Sequence, residues 1–255
     1  MGTEPLLELR NISKAFGGVQ ALKDVSLQIR PGEVVGLVGD NGAGKSSLIK
    51  TMSGILRPDT GEFRFQGNAV DLKGPNDAKQ LGIQTVYQDL ALCDNLDAVQ
   101  NLFLGRELVG PRVFGSRVKR AEAQKRSREV LRRLRLDSIS LTRPVGAMSG
   151  GQRQNIAIAR SILWKPNVVL FDEPTAALSH TAAEQVGLLI RQLADEGLGV
   201  LVVSHDIHQF VVEVTDRVVV LRLGRVVSEF ESKSVSGETI VNAMVGGNEG
   251  VNSAR

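Results

Sequence analysis

The segment Gly39-Asp40-Asn41-Gly42-Ala43-Gly44-Lys45-Ser46-Ser47 constrains the chain more than any other. It follows an apolar run, Val34 to Val38, and precedes a helical pattern ending near Gly54, so it reads as a glycine-rich turn from strand to helix. Gly42 and Gly44 permit backbone angles that turn successive N–H groups inward, where side chains would block an anion. The helix start adds the positive end of its dipole. Lys45 then supplies a cation for β- and γ-phosphates, and the Ser46 hydroxyl can ligate Mg²⁺. Taken alone, the turn marks a binder of nucleoside triphosphates.

A second signal lies at Val168-Val169-Leu170-Phe171-Asp172-Glu173, an apolar strand that ends in two carboxylates. Packing does not explain adjacent acids there, because buried charges are costly without partners. Read with the glycine-rich turn, Asp172 holds the Mg²⁺ shell and Glu173 polarises an attacking water. A third signal is Met148-Ser149-Gly150-Gly151-Gln152, which precedes the apolar-periodic segment Ile156 to Leu163. Ser149 can serve as an ordinary helix N-cap. Two glycines at a helix start also make a second anion site.

Composition narrows the class without naming it. Hydrophobic residues make up 42 % of the chain and charged residues 23 %, as in ordinary soluble proteins. No run approaches the roughly 18 apolar residues of a spanning helix, and no signal peptide is visible at the start. The single cysteine, Cys93, excludes an internal disulfide and fits a reducing compartment. A net charge of +3 is too small to argue for nucleic acid.

The layout is an α/β core interrupted by a helical lobe. Strands are expected at Leu6–Ile12, Val25–Ile29, Val34–Val38, Glu62–Phe65, Ile83–Tyr87, Asn167–Phe171 and Gly199–Val203, with a hairpin Val218–Leu221 and Arg225–Phe230 turned at Gly224. Helices are expected at Thr181–Ala194 and Asp206–Val214. The lobe covers about 90–165 and includes a basic helix from Arg117 to Leu136 with Val118, Ala121, Val130, Leu131 and Leu134 on its apolar side. That helix lacks interleaved aromatics for base stacking, so its charges read as a solvated face. The tail 246–255, rich in Gly, Asn and Ser, is expected to be mobile.

With Ser149-Gly150-Gly151-Gln152 in place, the chain resembles the ATP-binding-cassette family, whose signature usually has leucine where Met148 stands. The resemblance runs from about Leu6 to Met244. It implies a P-loop NTPase cassette with a RecA-like core, an antiparallel β subdomain and an inserted helical subdomain, as one domain over 1–245. It implies ATP and Mg²⁺ as ligands, and ATP held between two copies of the cassette. By the same resemblance, Gln88 joins the two lobes and touches metal or water, His205 contacts the γ-phosphate, and Phe16 stacks on adenine. Gly39 to Ser47 and Ser149 to Gln152 are then the nucleotide contacts, and Ser46, Gln88 and Asp172 the metal shell. One departure stands out: Ser179 occupies a position where the family commonly has aspartate.

Residues 87–92 and 101–107 are similar to ATPase subunits of bacterial importers for simple sugars. That resemblance implies a homodimer docked on transmembrane permease subunits at the cytoplasmic face of the inner membrane. A periplasmic or extracellular sugar-binding protein would act indirectly, and no nucleic acid would be bound. Three other readings stand beside it: an importer ATPase for a non-sugar solute, a soluble ATPase of this family acting on nucleic acid or ribosomes, and a nucleotide kinase or GTPase sharing only the phosphate loop. No Asn-Lys-x-Asp segment for guanine occurs, and Ser149 to Gln152 with His205 argue against a kinase.

Overall fold

The computed structural model describes residues 4–110 and 118–246. Two sheets organise them. Strands β1 (Leu7–Phe16), β2 (Val19–Ile29), β4 (Thr60–Phe65) and β5 (Asn68–Ala69) form an antiparallel sheet in the order β2-β1-β4-β5. Strands β3 (Val34–Val38), β6 (Ile83–Val86), β7 (Val168–Asp172), β8 (Gly199–Val203), β9 (Arg217–Arg222) and β10 (Arg225–Glu231) form the second, ordered β10-β9-β3-β8-β7-β6. Its pairs from β9 through β6 are parallel, and β10 folds back antiparallel on β9.

The inner parallel strands read as apolar runs because both of their faces are covered, whereas the edge strand β6 carries Gln84 and Thr85. Every residue of β3 and β8 is buried. One face, through Leu37, Leu170 and Leu201, packs with the antiparallel sheet and helix α1 (Lys45–Met52). The other, through Phe171, Val200 and Val202, packs with the remaining large helices.

Between β6 and β7 run α3 (Ala98–Phe103), α4 (Arg120–Arg133) and α5 (Gly150–Ile162). Helix α6 (His180–Asp195) connects β7 to β8. Side chains cap several helix starts. Asp97 and Ser149 each form reciprocal capping boxes, with Gln100 and Gln152, and Ser179 caps α6.

Several expectations change. Strands β1 and β2 run on to meet at the two-residue turn Gly17-Gly18, with register shifts along the pair; left-handed Asn11 and Asp24 lie within them and blur the alternation. Helix α4 ends at Arg133, before Leu136. Left-handed Arg135 closes it, with Leu136 N donating to Leu131 O at 2.8 Å. The expected start at Arg117 lies outside the described residues. Val118 and Ala121 are exposed, and the buried side is Ala123, Ser127, Val130 and Leu131. Short α2 (Pro75–Gln80) was not anticipated. The segment Ile207–Val211 is a π-helical turn before the short α7 (Val212–Val214). A terminal helix, α8 (Gly237–Val245), was also not anticipated; Ile240 and Met244 seat it against Ile207 and Val211. The tail expected from 246 falls outside the described residues after Gly246.

Candidate nucleotide site

The parallel strands deliver the chemistry-bearing residues to one edge of the sheet. The glycine-rich turn follows β3, Asp172 ends β7 with Glu173 next, and His205 follows β8. In the sheet order β8 lies between β3 and β7. This is where an open parallel sheet places its ligands, outside the carboxyl ends of its strands.

The turn owes its shape to two glycines. Gly39 has φ 155°, and a Cβ there would lie 2.1 Å from the Leu221 carbonyl oxygen. Gly44 has φ 109°, and its Cβ would lie 2.6 Å from Ala21 O. Gly44 occupies the cap position of α1, and no side chain caps that helix. The first N–H groups of α1 therefore lack the side-chain acceptor that α3, α5 and α6 have. An anion fills that need. Asp40, Asn41, Gly42 and Ser46 are exposed around the mouth, Ser47 is half-buried and Ala43 is buried.

Lys45 is buried beneath the turn, its ammonium donating to Gly39 O at 2.5 Å and Asp40 O at 3.1 Å. Burial lowers its pKa, against the opposing pull of Glu173, Asp40 and Asp172. Burial raises both acids, with Lys45 and His205 pulling the other way. Glu173 is in the left-handed region, φ 53°, and its N–H donates to Val203 O at 2.9 Å. His205 Nε2 stands 3.0 Å from Glu173 Oε1 without hydrogen-bond alignment. That oxygen is thus a buried acceptor lacking a donor, in position for a water or ligand.

No cluster of three or more His, Cys, Asp or Glu side chains able to hold a metal occurs among the described residues. The hydroxyl, amide and carboxylate oxygens of Ser46, Gln88 and Asp172 are donor types that a hard cation takes alongside phosphate oxygens. Gln88 is exposed just beyond β6. Phe16 is 51 % exposed at the tip of the β1–β2 turn, so it is no core residue, and Lys14 Nζ sits 5.9 Å from its ring centroid.

The second glycine-rich helix start opens elsewhere. Ser149 Oγ accepts from Gln152 N at 3.3 Å, and Gln152 Oε1 accepts from Ser149 N at 3.1 Å. Ser149 to Gln152 line a groove of about 890 Å³ together with Leu178 and Ser179. Met148 is buried in the core below them, as a leucine would be. Ser179 accepts from Ala182 N at 3.4 Å. Sequence reading had no signal for Asn101 and Arg160, two side chains that organise the loop following Gln88.

A parallel sheet with a phosphate loop, an acid pair and a following histidine defines a P-loop nucleoside-triphosphatase. The family model described as ABC transporter matches residues 22–176, and the chain belongs to that family as its ATP-hydrolysing cassette. A xylose/arabinose import ATP-binding protein of Sulfolobus acidocaldarius is 44 % identical over 94 % of this chain and 93 % of its own length. A fructose import ATP-binding protein of Rhizobium meliloti is 40 % identical over 98 % and 97 %. A ribose import ATP-binding protein of Burkholderia ambifaria is 42 % identical over 96 % of this chain, which spans only 47 % of that relative. Among solved structures, a nucleotide-free ATP-binding cassette from an ABC transporter superposes with TM-score 0.78 at 25 % identity, covering 94 % of this chain and 95 % of that one. A dimeric bacterial ABC transporter cassette gives 0.74 at 28 % identity, covering 89 % and 99 %.

Proposed function

We propose that this cassette powers uptake of a simple sugar, of the xylose, fructose or ribose kind. The observation that carries the reading is similarity along almost the whole chain to import ATP-binding proteins for those sugars. In this reading the protein works as a homodimer at the cytoplasmic face of the inner membrane, on permease subunits fed by an external sugar-binding protein. No described helix is long and apolar enough to cross a membrane, and in this reading the permease subunits carry the path for sugar.

The site residues take roles that follow from their chemistry. Residues 39–47 wrap the phosphates with backbone N–H groups, and Lys45 turns from its carbonyl partners to the β- and γ-phosphates. Phe16 offers the base an exposed face. Ser46, Gln88 and Asp172 would hold Mg²⁺, which supplies charge neutralisation at the phosphates when bound. Glu173 orients and polarises the attacking water through its unpartnered Oε1. His205, already beside that oxygen, donates to the γ-phosphate. Ser149, Gly150, Gly151 and Gln152 face the nucleotide of the second copy, across the groove that Ser179 shares. Uncharged Ser179 loosens the coupling between the two ATP sites. Along the basic helix α4, Arg126 and Arg133 pair with Glu122 and Glu196, which favours reading its charges as a solvated face.

Affinity capture from gently solubilised native membranes tests the transport reading. A multi-spanning permease with a sugar-binding protein in the eluate supports it. A soluble eluate of ribosomal or DNA-bound partners overturns it and leaves the ATPase intact.

A further inference from the structure

The loop after Gln88 carries an unusual backbone. Leu90 and Ala91 are consecutive non-glycine residues in the left-handed region, with φ 57° and 45°. Side chains disfavour that conformation, so it persists only where surroundings impose it. Here Leu90 N donates to Tyr87 O at 3.0 Å and Ala91 N to Asp89 O at 2.7 Å, and one side chain holds both carbonyls. Arg160, near the end of α5, donates from Nη1 to Ala91 O at 2.6 Å and from Nη2 to Leu90 O at 2.7 Å. A planar guanidinium can span two successive carbonyls in this way, whereas an ammonium cannot do so with fixed geometry.

The far end of the loop is pinned as well. Asn101, fully buried, accepts from Cys93 N at 2.8 Å and donates to Cys93 O at 3.0 Å, Leu96 O at 3.2 Å and Asp97 O at 3.1 Å. Asn101 thus fixes where the loop leaves, and Arg160 holds Leu90 and Ala91, two and three positions beyond Gln88. The helix bearing Arg160 is the one that Ser149 and Gln152 begin.

We propose that Arg160 is a positioning residue that clamps Leu90 and Ala91 and so ties the Gln88 loop rigidly to the helix begun by Ser149. A movement of the Ser149 helix start is then carried to Gln88 through one helix and one guanidinium. The consequence for turnover rests on the role given to Gln88 above; the clamp itself does not.

The test uses the full chain and two readouts. Arg160→Lys keeps the charge but loses the fork, so amide exchange across residues 89–93 accelerates about tenfold without nucleotide. ATP turnover falls about tenfold in kcat, with KM for ATP within about threefold of the parent. Ala91→Gly in the Arg160→Lys background removes the left-handed penalty and recovers most of both losses. Unchanged exchange in Arg160→Lys overturns the clamp. Faster exchange with parental kcat, or a kcat loss that Ala91→Gly does not relieve, overturns the link to turnover. A parent chain without ATPase activity sinks the reading of the site, while exchange still decides whether Arg160 holds the loop.

Discussion

His205 Nε2 and Glu173 Oε1 lie 3.0 Å apart although the two residues leave different strands, β8 and β7. The Glu173 side chain is 15 % exposed and that of His205 51 % exposed, so the acid is sheltered and the imidazole faces outward. The acid proposed to polarise water and the histidine proposed to contact phosphate are thereby held side by side.

Glu173→Gln keeps the shape of the site and removes the proton acceptor. Phosphate release should fall by at least about 100-fold, while ATP still binds and traps a dimer detectable by light scattering. Parental turnover in this variant would remove Glu173 from the role proposed for it.

The same substitution changes how stability depends on pH. Burial raises the Glu173 pKa above its ordinary 4.5, so the carboxyl favours the fold most while protonated. Its contribution is full below 4.5 and is lost as pH rises through the elevated value. Nucleotide-free Glu173→Gln should therefore unfold at higher temperature than the parent at neutral pH. Thermal scans should show that gap closing as the pH drops below the ordinary glutamate range. A gap that widens on acidification would contradict the burial argument.

Lys45→Ala removes the buried cation beneath the turn. Calorimetry should show ATP binding weakened by about 100-fold, the scale of two charge-assisted hydrogen bonds. Unaltered affinity would detach Lys45 from the phosphates.

Gly39→Ala tests the turn itself. With φ 155° and a Cβ 2.1 Å from Leu221 O, alanine has to displace backbone. Denaturant titration should register a loss of about 3 kcal/mol from overpacking together with backbone strain.

Ser149 separates capping from nucleotide contact. Aspartate caps helices as well as serine, so Ser149→Asp should hold folding stability within about 0.5 kcal/mol. Its charge should nonetheless repel a facing phosphate and abolish ATP-dependent dimerisation, read by gel filtration. Normal dimerisation would leave Ser149 as a cap alone.

The sequence made the inner parallel strands legible because they are short apolar runs between turn residues, and β3 and β8 match their expected bounds. The phosphate loop and the acid pair were equally legible, since their chemistry demands fixed residue types at short spacing. What escaped depended on tertiary contact. Helix α8 offers only Ile240 and Met244 to the core, too few to stand out as a periodic pattern. Arg160 and Asn101 carry no motif that singles them out: both bond to backbone, Asn101 within eight residues of itself and Arg160 to carbonyls 69 and 70 residues away. Phe16 could be read as core or as surface until the length of β1 placed it at an exposed turn.

The strand order has a consequence for how the protein is made. Val34 pairs with Val200, and Val35 with Arg217, so β3 finds both neighbours only after most of the chain exists. Such distant pairings form slowly and late. A nascent or truncated chain can therefore present a phosphate loop with no histidine beside it. The phosphate loop, the acid pair and the histidine come together only with the closing of the sheet.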